Sequence, residues 1–400
     1  MNETALITSS PRGIRQRNEV AALRALHRFG RLSRADLARK LGLNRSSSGH
    51  IIAGLTADGL VREVNESHYT RANPTHAGRP GIMLELVPEA VFFIGVEIGV
   101  EHISTVEIDL GTNIISTSVE PFDGASAGVT KAVERAVQMA FEAIPASRRD
   151  RCEGLGIATP AQMNSQGFVR LAPLLGWENV PLVERVRDVL PVSVPVVAEN
   201  DANAFAIGAT YGRNEVHAGV TLFLVMESGV GGGIIVNGSL FRGANGLAGE
   251  VGHLRIDGVS QPDRNLEQVL GLENIMQHYR TISGKAEPTF QTFLSDVRDR
   301  VPGAVTIAEE WARALAIGLI QACRVIDADR IVLGGSVAAL YPLMAARVAH
   351  HIRSTQEASF PMPSIVMNDN ETIGPAFGAA CILHQRYLSM ESQRFAEDAG

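Results

Sequence analysis

The segment FLVMESGVGGGIIVNG, Phe223 to Gly238, reads as a strand, a glycine loop and a second strand. Such a loop can cradle nucleotide phosphates, because glycine lets backbone N–H groups approach the oxygens with no Cβ in the way. Glu227 stands at the mouth of this loop and Ser228 follows it. A carboxylate about 4 Å from a phosphate oxygen costs roughly 4 kcal/mol at an effective dielectric near 20. That is about a thousandfold in affinity. The loop therefore reads as the remnant of a nucleotide site that now shapes its lobe, unless a magnesium ion bridges Glu227 to the phosphates.

A second constellation lies near the N-terminus. Val20, Leu23 and Leu26 share one face of a first helix, Ser33 can cap a second with Leu37, Ala38 and Leu41 inward, and Asn44 can cap a third with Ile51, Ile52 and Leu55 inward. The third helix begins with Arg45, Ser46, Ser47, Ser48 and, one turn on, His50. Short polar side chains there let a recognition helix enter a major groove and read its donors and acceptors. The following segment alternates like a two-stranded ribbon around a polar tip, where Arg79 beside Pro80 suits a narrow minor groove. A protein-interaction module with the same core is the bland alternative.

Charge supports nucleic acid as the partner. Residues 1–80 hold 13 Lys and Arg against 6 Asp and Glu, although the whole chain of 400 residues has a net charge of −7. A basic head on an acidic body fits binding of double-stranded DNA by the head. No apolar run approaches the roughly 18 residues of a membrane span. Cys152, Cys323 and Cys381 form no ligand or disulfide spacing, so a cytoplasmic protein is expected. At 400 residues, two or three domains are expected. The reading is a tail over 1–17, a winged helix-turn-helix over 18–88, two α/β lobes around a cleft over 89–390, and a tail over 391–400. Each lobe opens with a hairpin, at VFFIGVEIGVEHISTVEID and at VTLFLVMESGVGGGIIVNG.

From Asn18 to Leu383 the chain resembles the ROK family (repressors, open reading frames and sugar kinases) in its DNA-binding form. SRADLARKLGLNRSSSGHI and GRP are similar to the regulator head, and ENDANAFAIG, GVGGGIIVNGSLFRGANGLAGEVGH and DRIVLGGSVA to the sugar, phosphate and adenosine segments. The resemblance implies an actin-like ATPase fold of two RNase-H-like lobes behind the winged helix-turn-helix. It implies sugar contacts from Asn200, Asp201, Glu250, His253 and Glu267, whose carboxylates, amide and imidazole suit vicinal hydroxyls. Asp201 would be the base that takes the proton of an attacking sugar hydroxyl in a kinase.

Departures from the family pattern decide the expected activity. The zinc-binding histidine of the family corresponds to His253, but GVSQPDRNLEQ lacks the three cysteines, and one imidazole closes no tetrahedral site. No metal is expected, and Glu267 has to be held by packing and hydrogen bonds. Leu174 replaces a usual asparagine. The first phosphate turn, EIGVEH, has Glu97 for aspartate, Val100 for glycine and Glu101 for threonine; in the second, Glu227 replaces a glycine and Ser228 keeps a hydroxyl. Mg-ATP is therefore not expected as a cofactor, and Asp201 becomes the remnant of a catalytic base. The expectation is a repressor, acting as a homodimer or higher oligomer, whose lobes respond to a sugar. The alternatives are an active sugar kinase carrying a DNA-binding head, and a scaffold that binds no ligand.

Overall fold

The computed structural model describes residues 11–64, 82–211, 218–256, 264–285, 287–356, 360–368 and 373–389. The head contains α1 (Pro11–Phe29), β1 (Leu32–Ser33), α2 (Arg34–Leu41), α3 (Arg45–Ala57), β2 (Val61–Val64) and β3 (Met83–Leu86). Its caps are local chemistry. Ser33 Oγ accepts from Asp36 N at 3.0 Å, Asn44 Oδ1 accepts from Ser47 N at 2.8 Å, and Gly42 closes α2 in the left-handed region. Antiparallel β2 and β3, with β1 outside β3, make the wing's base. Its tip, including Arg79, lies outside the described residues. Helix α1 begins at Pro11, so the expected tail over 1–17 is corrected: residues 11–17 are helical, and Arg15 pairs with Glu19 one turn on at 3.0 Å.

The first lobe holds β4 (Phe92–Ile98), β5 (His102–Asp109), β6 (Ile114–Pro121), α4 (Gly124–Glu142), β7 (Cys152–Thr159), β8 (Gln162–Met163), β9 (Phe168–Ala172), β10 (Trp177–Pro181), α5 (Leu182–Val189), β11 (Val196–Asn200) and α6 (Asp201–Thr210). The second holds β12 (Val220–Met226), β13 (Val230–Val236), β14 (Ser239–Leu240), α7 (Glu267–Leu270), α8 (Leu272–Ser283), α9 (Phe290–Arg298), α10 (Pro302–Ile326), β15 (Arg330–Gly334), α11 (Tyr341–Thr355), β16 (Ser364–Met367) and α12 (Gly374–Tyr387). No described helix is long and apolar enough to cross a membrane.

The two main sheets have one topology. In each, three antiparallel strands lie in sequence order and two parallel strands follow on the far side of the first: β6-β5-β4-β7-β11 and β14-β13-β12-β15-β16. This is the two-lobed actin-like arrangement. Helices α6 and α12 cross between the sheets at backbone contact. A Cβ at Gly378 would lie 1.7 Å from the Ala204 carbonyl oxygen, and one at Gly95 of β4 would lie 1.8 Å from that of Ala376. Glycine is required at both points because no side chain fits.

The head's core runs into the body's. Leu23, Leu26, Ile52 and Leu84 belong to one buried cluster with Phe93, Leu110 and Tyr387. At this seam the buried His384 bridges Leu110 O, 2.8 Å from Nε2, and the Tyr211 hydroxyl, 2.7 Å from Nδ1. The carbonyl can only accept, so Nε2 carries the proton and Nδ1 accepts from tyrosine. Burial pushes the His384 imidazole down to about 3, so it is neutral. His27 of α1 packs on both rings, at centroid distances of 4.7 Å to His384 and 5.8 Å to Tyr211. Tyr211 directly follows α6, so one helix connects this seam to the residue at its other end, Asp201.

Candidate functional site

The cleft between the lobes is built from strand ends. Asn200 ends β11 and caps α6, Asp201 opens α6, Glu97 lies on β4, and Glu227 and Ser228 fill the turn between β12 and β13. Glu250 precedes a short 3-10 turn that His253 ends, and Glu267 opens α7. All of these, with Glu101, line one cavity of 140 Å³. Drug-sized ligands occupy roughly 300–1,000 Å³, so this cavity is small. His102 and Gln162 also line it, and neither was singled out as a site residue in the sequence. Their signal was position alone: His102 ends the EIGVEH turn, and Gln162 closes the ATPAQ strand-to-turn segment.

Several of the side chains are held in place. Glu267 Oε2 accepts from Val230 N at 3.0 Å, which fixes the carboxylate against the glycine loop. Asn200 Oδ1 accepts from Asn203 N at 3.1 Å, and its amide donates to Ala161 O at 3.3 Å. Asn200 is thus at once a helix cap and a cleft wall. Asp201 Oδ1 accepts from Ala202 N at 2.8 Å. Burial, then the nearby charge of Glu97, push the Asp201 carboxyl up to about 7, while the side chain keeps a partial opening to the cleft. Glu250 is raised by burial and held down in part by His253, whose Nε2 lies 3.4 Å from Glu250 Oε2.

The two turns that the family resemblance assigns to phosphate are hydrogen-bonded by their own residues. Glu227 Oε1 accepts from Ser336 N and Oε2 from Ser336 Oγ, both at 2.7 Å. The carboxylate thus satisfies the start of the turn that follows β15, where a bound anion would otherwise find donors. Burial raises its carboxyl despite those bonds. Across the cleft, Ser228 Oγ donates to Glu101 Oε1 at 2.9 Å, joining the first phosphate turn to the second and one lobe to the other. The buried Glu97 accepts from Ser104 Oγ at 3.0 Å, and His102 Nε2 sits 3.4 Å from it, which raises the imidazole. His102 Nε2 makes an ion-pair contact there and no well-directed hydrogen bond.

Six carboxylates and two imidazoles line the cavity, and neither Lys nor Arg does among the described residues. A triphosphate carries several negative charges and needs cations or free backbone donors; this lining gives it no cationic Lys or Arg side chain. Nor does the lining fit structural zinc. His253 faces Glu250, the three cysteines are free and lie elsewhere, and no cluster of His, Cys, Asp and Glu among the described residues could hold a metal. Most of the segment that carries the family's zinc cysteines, residues 257–263, lies outside the described residues.

In the head, Arg45, Ser46 and His50 are exposed on α3 and Ser47 is half-buried. Ser48 is corrected. It is 4 % exposed and packs inward on the face of Ile51 and Ile52, because three and four residues is the helical repeat that puts them on one side.

The ROK family model matches residues 93–386. The chain is 23 % identical over 389 residues to the xylose repressor of Bacillus subtilis, covering 94 % of this chain and 97 % of that protein. A ROK family transcriptional regulator, a homolog of the E. coli MLC protein, superposes with a TM-score of 0.75 at 19 % identity, over 96 % of this chain and all of the other. A ROK glucokinase from Streptomyces griseus, solved with glucose and AMPPNP, covers 74 % of this chain and 99 % of its own, with a TM-score of 0.63 and 24 % identity. The chain belongs to the ROK family.

Proposed function

We propose that this protein is a sugar-responsive transcriptional repressor whose cleft binds a monosaccharide or a derivative of one and no longer uses ATP. The observation that carries the reading is how the carboxylates of one cleft are bonded. Asn200, Asp201, Glu250, His253 and Glu267 line a single small cavity together with Glu227 and Glu101, and the last two are hydrogen-bonded to Ser336 and Ser228 in the turns the family resemblance assigns to phosphate. Likeness to a xylose repressor along nearly the whole chain supports the regulatory role.

In this reading Arg45, Ser46, Ser47 and His50 face operator DNA, with Arg79 reaching a minor groove, and two heads of a homodimer meet two half-sites. Sugar shifts the lobes because it contacts both of them and so favours one closure over another. Helix α6 carries the change: its first residue lines the cavity, and Tyr211 at its far end packs on His27 of the head.

The test is operator binding with and without a monosaccharide panel. One sugar should change operator affinity at least tenfold in the wild type and leave Glu250→Ala unaffected. Operator binding indifferent to every sugar would leave only a scaffold.

A second reading, an active sugar kinase, has one observation in its favour. A carboxyl near 7 is well matched to general-base work at neutral pH. ATP turnover with a sugar acceptor, abolished by Asp201→Asn, would establish it.

A further inference from the structure

The cleft is not the molecule's only concave site. Where the head helix α1 meets the body, a cavity of 620 Å³ is lined by Arg24 of α1, Arg170 of β9, Arg242 after β14 and Arg386 of α12. A neighbouring cavity of 580 Å³ shares Arg24 and Arg242 with it and continues along α1 past His27 and Arg28. This concentration of guanidinium groups stands out in a chain of net charge −7.

Among the described residues the charges are not cancelled from within. Glu199 is the one carboxylate among the described residues of the larger cavity's lining, and Arg242 holds it through Nε at 3.1 Å and Nη2 at 2.6 Å. Glu199 also accepts from Asn200 N and Asn203 Nδ2, both at 3.1 Å, so its lone pairs are in use. Arg24 spends Nε on the Leu388 carbonyl at 2.5 Å, which leaves its two terminal nitrogens without a carboxylate among the described residues. Arg170 and Arg386 pair with no carboxylate among the described residues.

We propose that this seam is a second effector site, distinct from the sugar cleft, that takes a small organic phosphate monoester. Planar guanidinium forks match the oxygens of a phosphate and can bind it bidentately. Several forks around one space suit a dianion better than a single carboxylate. The volume lies in the small-molecule range, and Val197 and Ile382 give it apolar wall for a carbon skeleton. Three of the four arginines belong to the body, which favours a small ligand over the operator backbone. An anion held by Arg24 on one side and by Arg170 and Arg386 on the other ties the head to the body. It therefore selects one head orientation and is linked to operator affinity in both directions. The site also adjoins the sugar cleft from behind, because the Glu199 that Arg242 holds directly precedes Asn200.

The experiment is calorimetry on the full chain at fixed ionic strength with inorganic phosphate, glycerol 3-phosphate and fructose 1,6-bisphosphate, and with sulfate as the charge control. At least one ester should bind more tightly than sulfate. The double variant Arg170→Ala/Arg386→Ala, at two exposed positions, should weaken that ester on the order of tenfold to a hundredfold. Glu250→Ala, which alters the cleft, should leave it unchanged, so failure here is distinguishable from failure of the sugar reading. No ester exceeding sulfate, or equal binding by the double variant, would overturn the proposal. So would an ester lost in Glu250→Ala, since it would then occupy the cleft. If the double variant instead lowers operator affinity and its salt slope with ester binding intact, the arginines contact DNA phosphates and the proposal fails.

Discussion

In the proposed reading, the sugar half and the phosphate half of the cleft use the same residue type to opposite ends. Of the residues assigned to sugar, Glu250, Glu267 and Asp201 line the common cavity, and Glu267 and Asp201 each spend one oxygen on a backbone N–H and keep the other. In the turns assigned to phosphate, Glu227 spends both oxygens on Ser336 and Glu101 spends one on Ser228. A carboxylate that faces open space offers acceptors to hydroxyls; one already bonded to the loop's own donors blocks an anion. Chemical identity alone does not separate a binding residue from a plug. What separates them is where the hydrogen bonds go.

Reversing the plug should have the largest effect. Glu101→Thr with Glu227→Gly removes two acids from the phosphate turns and should raise affinity for Mg-AMPPNP by up to about a thousandfold. Calorimetry reads this directly, and no gain would show that the acids are not what excludes nucleotide. Next is the sugar half. Glu250→Ala should weaken the responding sugar roughly 10- to 100-fold, the worth of a hydrogen bond to a charged group; unchanged affinity would remove Glu250 from the site.

A smaller effect concerns pH. The Asp201 carboxyl sits at about 7 in the folded chain against an ordinary 3.8. Between those values the folded state holds a proton that the unfolded state has released, so stability falls as pH rises through the window. Asp201→Asn should flatten this slope and stabilise the chain above pH 7 by roughly 1–3 kcal/mol, discounted for the partial opening to the cleft. Equal slopes in thermal melts from pH 5 to 8 would contradict it. The smallest effect belongs to Ser228→Ala, which cuts the exposed cross-lobe bond to Glu101 and should cost only ~1 kcal/mol or less. A change of several degrees in Tm would mean that the lobes depend on that staple.

Much of this was legible in residue order. Ser33 and Asn44 announced their helices as caps, and the two hairpins with glycine turns marked the two lobes. The segments around Asp201, Glu250 and Glu267 are legible through the family resemblance, and their convergence on one cavity is not. Contacts between distant parts of the chain were not legible. Glu227 and Ser336 are separated by 109 positions and Ser228 and Glu101 by 127, so nothing local pairs them. Ser48 was misplaced for a different reason. Its small polar side chain suggested a groove contact, but its spacing from Ile51 and Ile52 had already put it on the core side. The repeated strand order of the two sheets and the packing of His27 on Tyr211 and His384 likewise appear only once the chain is folded.

The most direct test of the divided cleft is a titration of Mg-AMPPNP into the wild-type chain, first alone and then saturated with its responding sugar. The account predicts sugar binding in the absence of nucleotide, no nucleotide binding in the low millimolar range or below, and no change in sugar affinity when nucleotide is added. Micromolar nucleotide binding that tightens with sugar would contradict it.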